Sequence, residues 1–382
     1  MTKSADVVVI GGGIVGCSTA YNLARLGAGK VILVERGYLA SGSTGRCGAG
    51  MRMQWGTETN CLLSRESTRM LERLPELLDV DIDIELKQGG YLLLAYTDKM
   101  AAQFKKNLVL QKALDIPARW VTPAEAKEIV PHLNTDGLIG ATFCSKDGHC
   151  NPFKTTAAYA KAARRLGVEI QTHTEVIGID TDCCQIRTVK TTQGDIHTPQ
   201  VVVAAGGYTK NIGRMVGTEI PIHPERHEIL VTEPVEPMQE SMVMSFHHNL
   251  YCQQSPHGSF IMGIGHPDLP ESFDIRSSWQ FLQEMATRLV EILPPLAGLN
   301  VVRQWAGLYD MSPDRQPILG QAGDVEGFHI AAGFSGHGFM IGPVTGQIVA
   351  EQLLGLPTAL PVGMLDAGRF QRGDLFIEPS VV

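Results

Sequence analysis

The residues best suited to chemistry in this chain of 382 residues come first in it. Gly11-Gly12-Gly13-Ile14-Val15-Gly16 closes the apolar run Val7-Val8-Val9-Ile10 and opens a helix-like stretch, Ile14 to Leu26. Gly-x-Gly-x-x-Gly between a strand and a helix is the dinucleotide fingerprint. Gly11 permits the tight turn, Gly13 lets the backbone approach a pyrophosphate, and Gly16 lets helix and strand pack closely. Ile14 and Val15 begin the helix, whose unpaired N–H groups and positive dipole end suit phosphate. Lys30 to Glu35 reads as the second parallel strand. Its last residue, Glu35, is placed to accept hydrogen bonds from a ribose hydroxyl, with Arg36 beside it. An acid at that point repels a 2′-phosphate and disfavours NADP.

Two further Gly-rich segments could hold a ligand. Ser41 to Arg52 (SGSTGRCGAGMR) follows the Glu35 strand directly. Its small residues let backbone lie against a flat ligand, with N–H groups available to phosphate or ring oxygens. Ser43, Thr44, Arg46, Cys47, Gly48 and Met51 are the candidate contacts. Arg52 and Arg46 are suited to bidentate binding of carboxylate or phosphate. Near the C-terminus, Ala331 to Met340 (AAGFSGHGFM) again runs strand, turn, helix. Gly333, Gly336, His337, Gly338, Phe339 and Met340 are its candidates. The helix dipole there would stabilise negative charge on a bound ring, such as a reduced flavin carries. A second phosphate loop is the competing reading, but one dinucleotide needs only one pyrophosphate site.

The elements that must position these segments follow from pattern. Residues 58–79 and 98–114 read as helices, 89–96 as a strand, and Thr122-Pro123-Ala124-Glu125 as a capping box with Pro in the first helical position. A helix starts at Asn151-Pro152, and short strands follow at 169–171, 175–180 and 186–191. Val201 to Ala205 is wholly apolar and ends in Gly206-Gly207, as suits a strand buried on both faces of a parallel sheet. Residues 216–324 are strand-rich with one long helix, 277–293. The fold class is α/β with an α+β second part. A Rossmann-type sheet is assembled from residues 1–85, 145–215 and 325–382, and a second domain with a mixed or antiparallel sheet from 86–144 and 216–324.

Composition bounds the function. Hydrophobic content of 44% and charged content of 19% are ordinary for a globular protein, and the net charge of −8 gives no reason to expect nucleic acid or an anionic membrane as partner. The opening strand begins within a few residues, so no signal peptide is expected; no apolar run spans a membrane, and a cytoplasmic location follows. The eight cysteines form no CxxC pair, so no internal metal or iron–sulfur site is expected.

The three Gly-rich segments, with the strand VVVAAGG and the run RQWAGLYDMSPDRQPILG, make the chain resemble the FAD-dependent amine oxidoreductases of the D-amino-acid oxidase and sarcosine oxidase group. Within that group it is most similar to the β subunits of hetero-oligomeric sarcosine oxidase and dye-linked proline dehydrogenase. The resemblance covers essentially the whole chain. It implies non-covalent FAD, and oxidation of a secondary amino acid of proline, hydroxyproline, sarcosine or opine type to its imine. An α subunit, and an iron–sulfur subunit in some relatives, are the implied partners, with an FMN at a subunit interface. Val176 falls where the family contacts the adenine side, and Ala205 and Gly206 join the cofactor candidates. Arg52 matches the arginine that grips the substrate carboxylate; His227, Tyr251 and Trp305 fall where the proline dehydrogenase branch lines its pocket.

The departures also carry information. No lysine follows Lys210. Met340 stands where monomeric sarcosine oxidases carry a carboxylate-binding lysine, and Met262 lies nearest their oxygen-activating lysine. A cation over the ring favours superoxide formation, so its absence favours a dehydrogenase over the alternative, a self-sufficient oxidase that makes peroxide. Pro152 stands where relatives tether FMN to a histidine, and His149 is out of register, which argues against covalent FMN.

Overall fold

The computed structural model describes residues 3–265 and 270–379. A six-stranded sheet runs in the order Ile318–Gln321, Phe328–Ala332, Val201–Val203, Val7–Ile10, Val31–Val34, Glu169–Gln171. All neighbours are parallel except the first pair. Every residue of Val7–Ile10, Val31–Val34 and Val201–Val203 is buried. Continuous β-branched runs are stable there because both faces are covered. Val7, Val9, Val31, Leu33 and Val202 meet the helices Ile14–Arg25, Pro152–Arg165 and Gly338–Leu353. Val8, Ile10, Ile32, Val34, Val201 and Val203 meet Val176, Ile179, Ile186, Val189 and Ile196 of a four-stranded sheet. The alternation follows from successive side chains pointing to opposite faces.

A second, eight-stranded sheet runs Val301–Met311, His223–Pro234, Ser259–Gly265, Leu250–Gln254, Met242–Ser245, Tyr91–Ala95, Gly140–Cys144, Ala118–Val121. Only the pair Met242–Ser245 with Tyr91–Ala95 is parallel. The helix Trp279–Ile292 covers one face with Phe281, Met285 and Leu289. The strand Ile318–Gln321, which lies ahead of the boundary expected at 325, belongs to the six-stranded sheet.

Local signals explain several element ends. Thr122 accepts from the Glu125 N–H while the Glu125 carboxylate accepts from the Thr122 N–H. Asn151 caps Pro152–Arg165 through Phe153 and Lys154 N–H. The stretch 58–79 is broken into Glu58–Glu72 and Leu74–Leu78, with Pro75 starting the second piece. All eight cysteines are free thiols. Among the described residues no helix is long and apolar enough to cross a membrane, and no group of His, Cys, Asp and Glu could hold a metal ion.

Candidate active site

A cavity of about 360 Å³ runs along the C-terminal ends of the parallel strands, within the size range of ligand sites. Gly11, Gly13, Ile14, Val15, Glu35, Arg36, Ser43, Thr44, Arg46, Cys47, Val176, Ala205, Gly206, Gly336, Gly338 and Phe339 line it. These sixteen are sequence-predicted cofactor residues. Gly16, Gly48, Met51, Gly333, His337 and Met340 do not line it. Gly16 serves packing instead, since a Cβ there would lie 1.9 Å from the Gly11 carbonyl oxygen. Gly48 lies against the Tyr251 ring, and Met51 is fully buried in the core. Gly333 donates its N–H to Asp310 at 2.7 Å. His337 lies 4.9 Å from the Trp55 ring, and Met340 packs beside the Trp55 cluster.

Backbone turns shape the phosphate end of the cavity. Gly11 has φ +115°, and a Cβ would lie 2.3 Å from the Ala204 carbonyl oxygen. Glu35 accepts from the N–H groups of Gly12 and Gly37, each at 2.7 Å, which shapes the turn ahead of the helix. The Ile14 N–H donates to the Thr44 hydroxyl at 3.1 Å, tying the first Gly-rich segment to the second. The helix Gly338–Leu353 starts without a side-chain cap, and its first residues, Gly338 and Phe339, face the cavity. Its opening N–H groups have no intrahelical partner. A dinucleotide fits this chain on these grounds: a close-approach turn, two helix N-termini and an acid at the end of the second strand, all on one cavity.

Sequence reasoning missed several lining residues, among them Thr174, Glu175, Tyr208, Asn211, Tyr309 and Asp310. Tyr208 directly follows the recognised Gly206-Gly207 and carries the Arg36 guanidinium 3.7 Å over its ring. Asp310 is buried, and burial pushes its carboxyl up to about 6. It anchors the turn before Gly338 through Gly333 and Ser335 N–H groups. Tyr309 and Asp310 lie inside the recognised run RQWAGLYD, so the signal was present.

A second, small cavity adjoins the first and shares Ser43, Arg46, Cys47, Leu308 and Tyr309 with it. His227 and Tyr251 line it together. Burial holds the Tyr251 and Tyr309 phenols well above the ordinary tyrosine range, so both are neutral hydroxyls. The Cys47 thiol is pushed up to about 11 by burial and donates to the Thr44 carbonyl at 3.0 Å. Trp305 lines neither cavity; its Nε1–H donates to the Arg46 carbonyl at 3.1 Å, so it supports the loop.

Arg52 also lines neither cavity. Its guanidinium is 1% exposed and stacks 3.8 Å over the Trp55 ring. Nη1 donates to the Gln54 carbonyl at 3.1 Å, while Nε has no partner. Among the described residues Arg52 makes no ion-pair contact; burial penalises its charge, and Glu378 and Asp147 only partly offset this. Trp55 links it to His337 in the turn bordering the main cavity. His337 is held neutral, its imidazole pushed down to about 3 by burial and then by the Arg52 charge.

Comparison with known proteins agrees with this architecture. Residues 6–352 match the family of FAD dependent oxidoreductases. The chain is 30% identical to a sarcosine oxidase subunit beta of Arthrobacter sp, covering 98% of this chain and 93% of the relative. A sarcosine oxidase subunit beta of Rhodobacter capsulatus is 29% identical over 99% and 91%. Among solved structures, the L-proline dehydrogenase from P. horikoshii superposes with a TM-score of 0.93 at 38% identity, covering 98% of this chain and all of that one. On a cavity made for a dinucleotide and a match along nearly its whole length, the chain belongs to the FAD-dependent oxidoreductase family, with FAD as its cofactor and CH–NH bonds of amino acids as its field of action.

Proposed function

We propose that this chain oxidises a small secondary amino acid, of proline, hydroxyproline, sarcosine or opine type, to its imine, as the catalytic β-type subunit of a hetero-oligomeric dehydrogenase. The observation that carries the reading is Arg52: a buried guanidinium with an unpartnered Nε and no ion pair among the described residues, joined through the Trp55 and His337 rings to the turn that borders the main cavity. A substrate carboxylate supplies the missing charge, and a bidentate pair fixes both position and orientation. FAD, when bound, supplies the hydride acceptor. The chain orients the Cα–H or N-methyl C–H and excludes water. His227 and Tyr251, in the small cavity, meet the amine: His227 takes its proton, because only the neutral amine has a lone pair to share as the C–H bond breaks.

The relatives named sarcosine oxidase subunit beta support the subunit reading; an FMN or iron–sulfur centre of a partner would supply the onward electron acceptor. The proposed site residues remain Arg52, His227 and Tyr251, with Trp305 supporting the Arg46 loop. With the divided domains proposed above, the nucleotide would lie on the six-stranded sheet and the amine against the eight-stranded one.

The test is anaerobic mixing of the FAD-loaded chain with L-proline, hydroxyproline, sarcosine and an opine. Bleaching by one of them, with slow recovery in air, is the expected result. Fast recovery with peroxide overturns the dehydrogenase in favour of an oxidase. No bleaching with the partner subunits supplied overturns the substrate class.

A further inference from the structure

His227 lies on the long strand His223–Pro234, and both of its cross-strand neighbours are glycine: Gly265 on one side and Gly307 on the other. A Cβ at Gly265 would come within 2.3 Å of the imidazole. Gly265 therefore leaves the room in which the ring lies against the sheet, whereas a Cβ at Gly307 would meet Arg46 at 3.1 Å. Tyr309, diagonal to His227 across the strand pair, closes this room; the two rings are stacked at 3.5 Å between centroids and 13° between planes. Glu225 sits two residues before His227, so its side chain emerges on the same face. Its Oε1 lies 2.9 Å from His227 Nε2, with both side chains largely buried.

This arrangement has more parts than a structural histidine needs. A ring held between a stacked tyrosine and the backbone at Gly265 can rotate little, and an adjacent carboxylate selects its tautomer. Ionised Glu225 accepts a hydrogen bond only, so it demands that the proton sit on Nε2, which places the basic lone pair on Nδ1. The carboxyl is held below its ordinary range although burial opposes this, because His227 donates to it and Arg315 and His223 add positive potential.

We infer that Glu225 is the positioning residue for His227, fixing its tautomer and orientation so that the imidazole accepts the proton of the substrate's ammonium group. The inference rests on the function proposed above. In the step, the N–H bond of the ammonium breaks, its electron pair stays on the amine nitrogen, and the proton forms a new N–H bond on the imidazole. Glu225 keeps its charge and steadies the imidazolium. Tyr251, Tyr309, Arg46 and Cys47 come from other elements to line the cavity that His227 enters, Glu228 follows His227 on its own strand, and Arg315 and His223 add positive potential at Glu225. Burial holds Tyr251, Tyr309 and Cys47 neutral, so they bring no charge to the imidazole.

The experiment is nitrogen NMR of the histidine-labelled, FAD-loaded chain, with His227→Asn identifying the resonance by its loss. In the wild type the imidazole should carry its proton on Nε2. In Glu225→Gln the proton should leave that position and the imidazole pKa should fall by about one pH unit, since removing a neighbouring anion destabilises the cation. Glu225→Asp, which keeps the charge but shortens the reach, should restore part of the shift and serves as the reading should the Gln variant fail to fold. In the amine assay the acidic limb of kcat/KM should move down by the same amount and kcat should fall about tenfold or more, with KM little changed. A wild-type proton on Nδ1, or an unmoved titration in both variants, overturns the inference. Wild-type rates in His227→Asn, alongside the expected NMR shift, overturn instead the proton-acceptor reading on which it rests.

Discussion

Two arginines are buried to the same degree in opposite surroundings. Arg369, fully buried near the C-terminus, faces Asp314 in a two-point pair at 2.8 and 2.9 Å. Its remaining N–H groups reach the carbonyls of Leu365, Asp366 and Gln316. Arg52, 1% exposed, has one carbonyl, one indole face and an unpartnered Nε. Taking a charge out of water costs several kcal/mol, and a fold tolerates it when the partners are supplied. Arg369 has its partners within the chain and ties the C-terminal segment to the loop after Val301–Met311. Arg52 has not, and the deficit is what a ligand anion would make good. Burial alone therefore says little about an arginine; completeness of its donor set separates a structural one from a binding one.

One substitution made at both places tests this with the largest expected effect. Arg369→Met leaves Asp314 buried without a cation and should lower the free energy of unfolding by about 3–5 kcal/mol, read by urea denaturation, with amino-acid affinity per folded molecule unchanged. Replacing Asp314 as well with an apolar residue should recover much of that loss. A small loss in the single variant would mean that the pair is not what holds the C-terminal segment.

Arg52→Met should do the reverse. Its unfolding midpoint should not fall below the wild type, since an apolar side chain of similar length replaces a buried charge that makes no ion-pair contact and whose burial outweighs the help of Glu378 and Asp147. Binding of the amino-acid substrate should weaken by roughly 2–5 kcal/mol, at least about thirtyfold in Kd, with FAD content intact. Anaerobic titration of the flavin spectrum reads it. An unchanged Kd would sink the assignment of Arg52 to the carboxylate.

The comparison also shows which parts of the molecule the sequence discloses. The nucleotide cavity is legible because its chemistry is local: Gly11 to Gly16 lie in one turn, and Glu35 ends the next strand of the same unit. The capping box at Thr122 and the cap at Asn151 are legible for the same reason. The amine side is not local. His227 meets Tyr309, eighty-two positions on, only because their two strands pair in one register, and Asp147 meets Met53 across ninety-four positions. Residue type at Arg52 pointed to an anion, but its stacking on Trp55, away from both cavities, depends on packing that no local pattern encodes.

Asp147 offers a pH-dependent version of the comparison. It is fully buried, accepts from Met53 N–H at 2.9 Å and Gln54 Nε2 at 2.9 Å, and burial pushes its carboxyl up to about 7. Its ordinary value when unfolded is about 3.9, so the folded state binds the proton more tightly. Its contribution to stability is complete below about pH 4 and is lost as pH rises through about 7. Asp147→Asn should remove that loss, so that the difference in unfolding free energy between variant and wild type grows in the variant's favour from pH 4 to 7. Arg52 is among the charges that favour ionised Asp147. Arg52→Met should therefore extend the wild-type loss to higher pH, whereas Arg369→Met should leave its position unchanged. A difference that is flat with pH would show that Asp147 is ionised in the fold at every pH tested.

The smallest expected effect concerns the surface on which Arg52 rests. Trp55 lies 3.8 Å beneath the guanidinium and donates Nε1–H to the Arg52 carbonyl at 2.8 Å, so it holds both ends of the residue. Trp55→Phe keeps an aromatic face but loses the hydrogen bond and the stronger indole face. The hydrogen bond belongs to the ligand-free fold, and its loss should appear as about 1 kcal/mol in unfolding. The weaker face should appear in binding, as about 0.5–1 kcal/mol, no more than roughly fivefold in Kd. In Arg52→Met the Trp55→Phe change should still cost stability but should no longer affect binding, because the cation that felt the indole is gone. If binding in the double variant falls by the same factor as in Trp55→Phe alone, Trp55 meets the substrate directly, and the picture of an arginine held ready by its aromatic support gives way to one in which the indole itself is the contact.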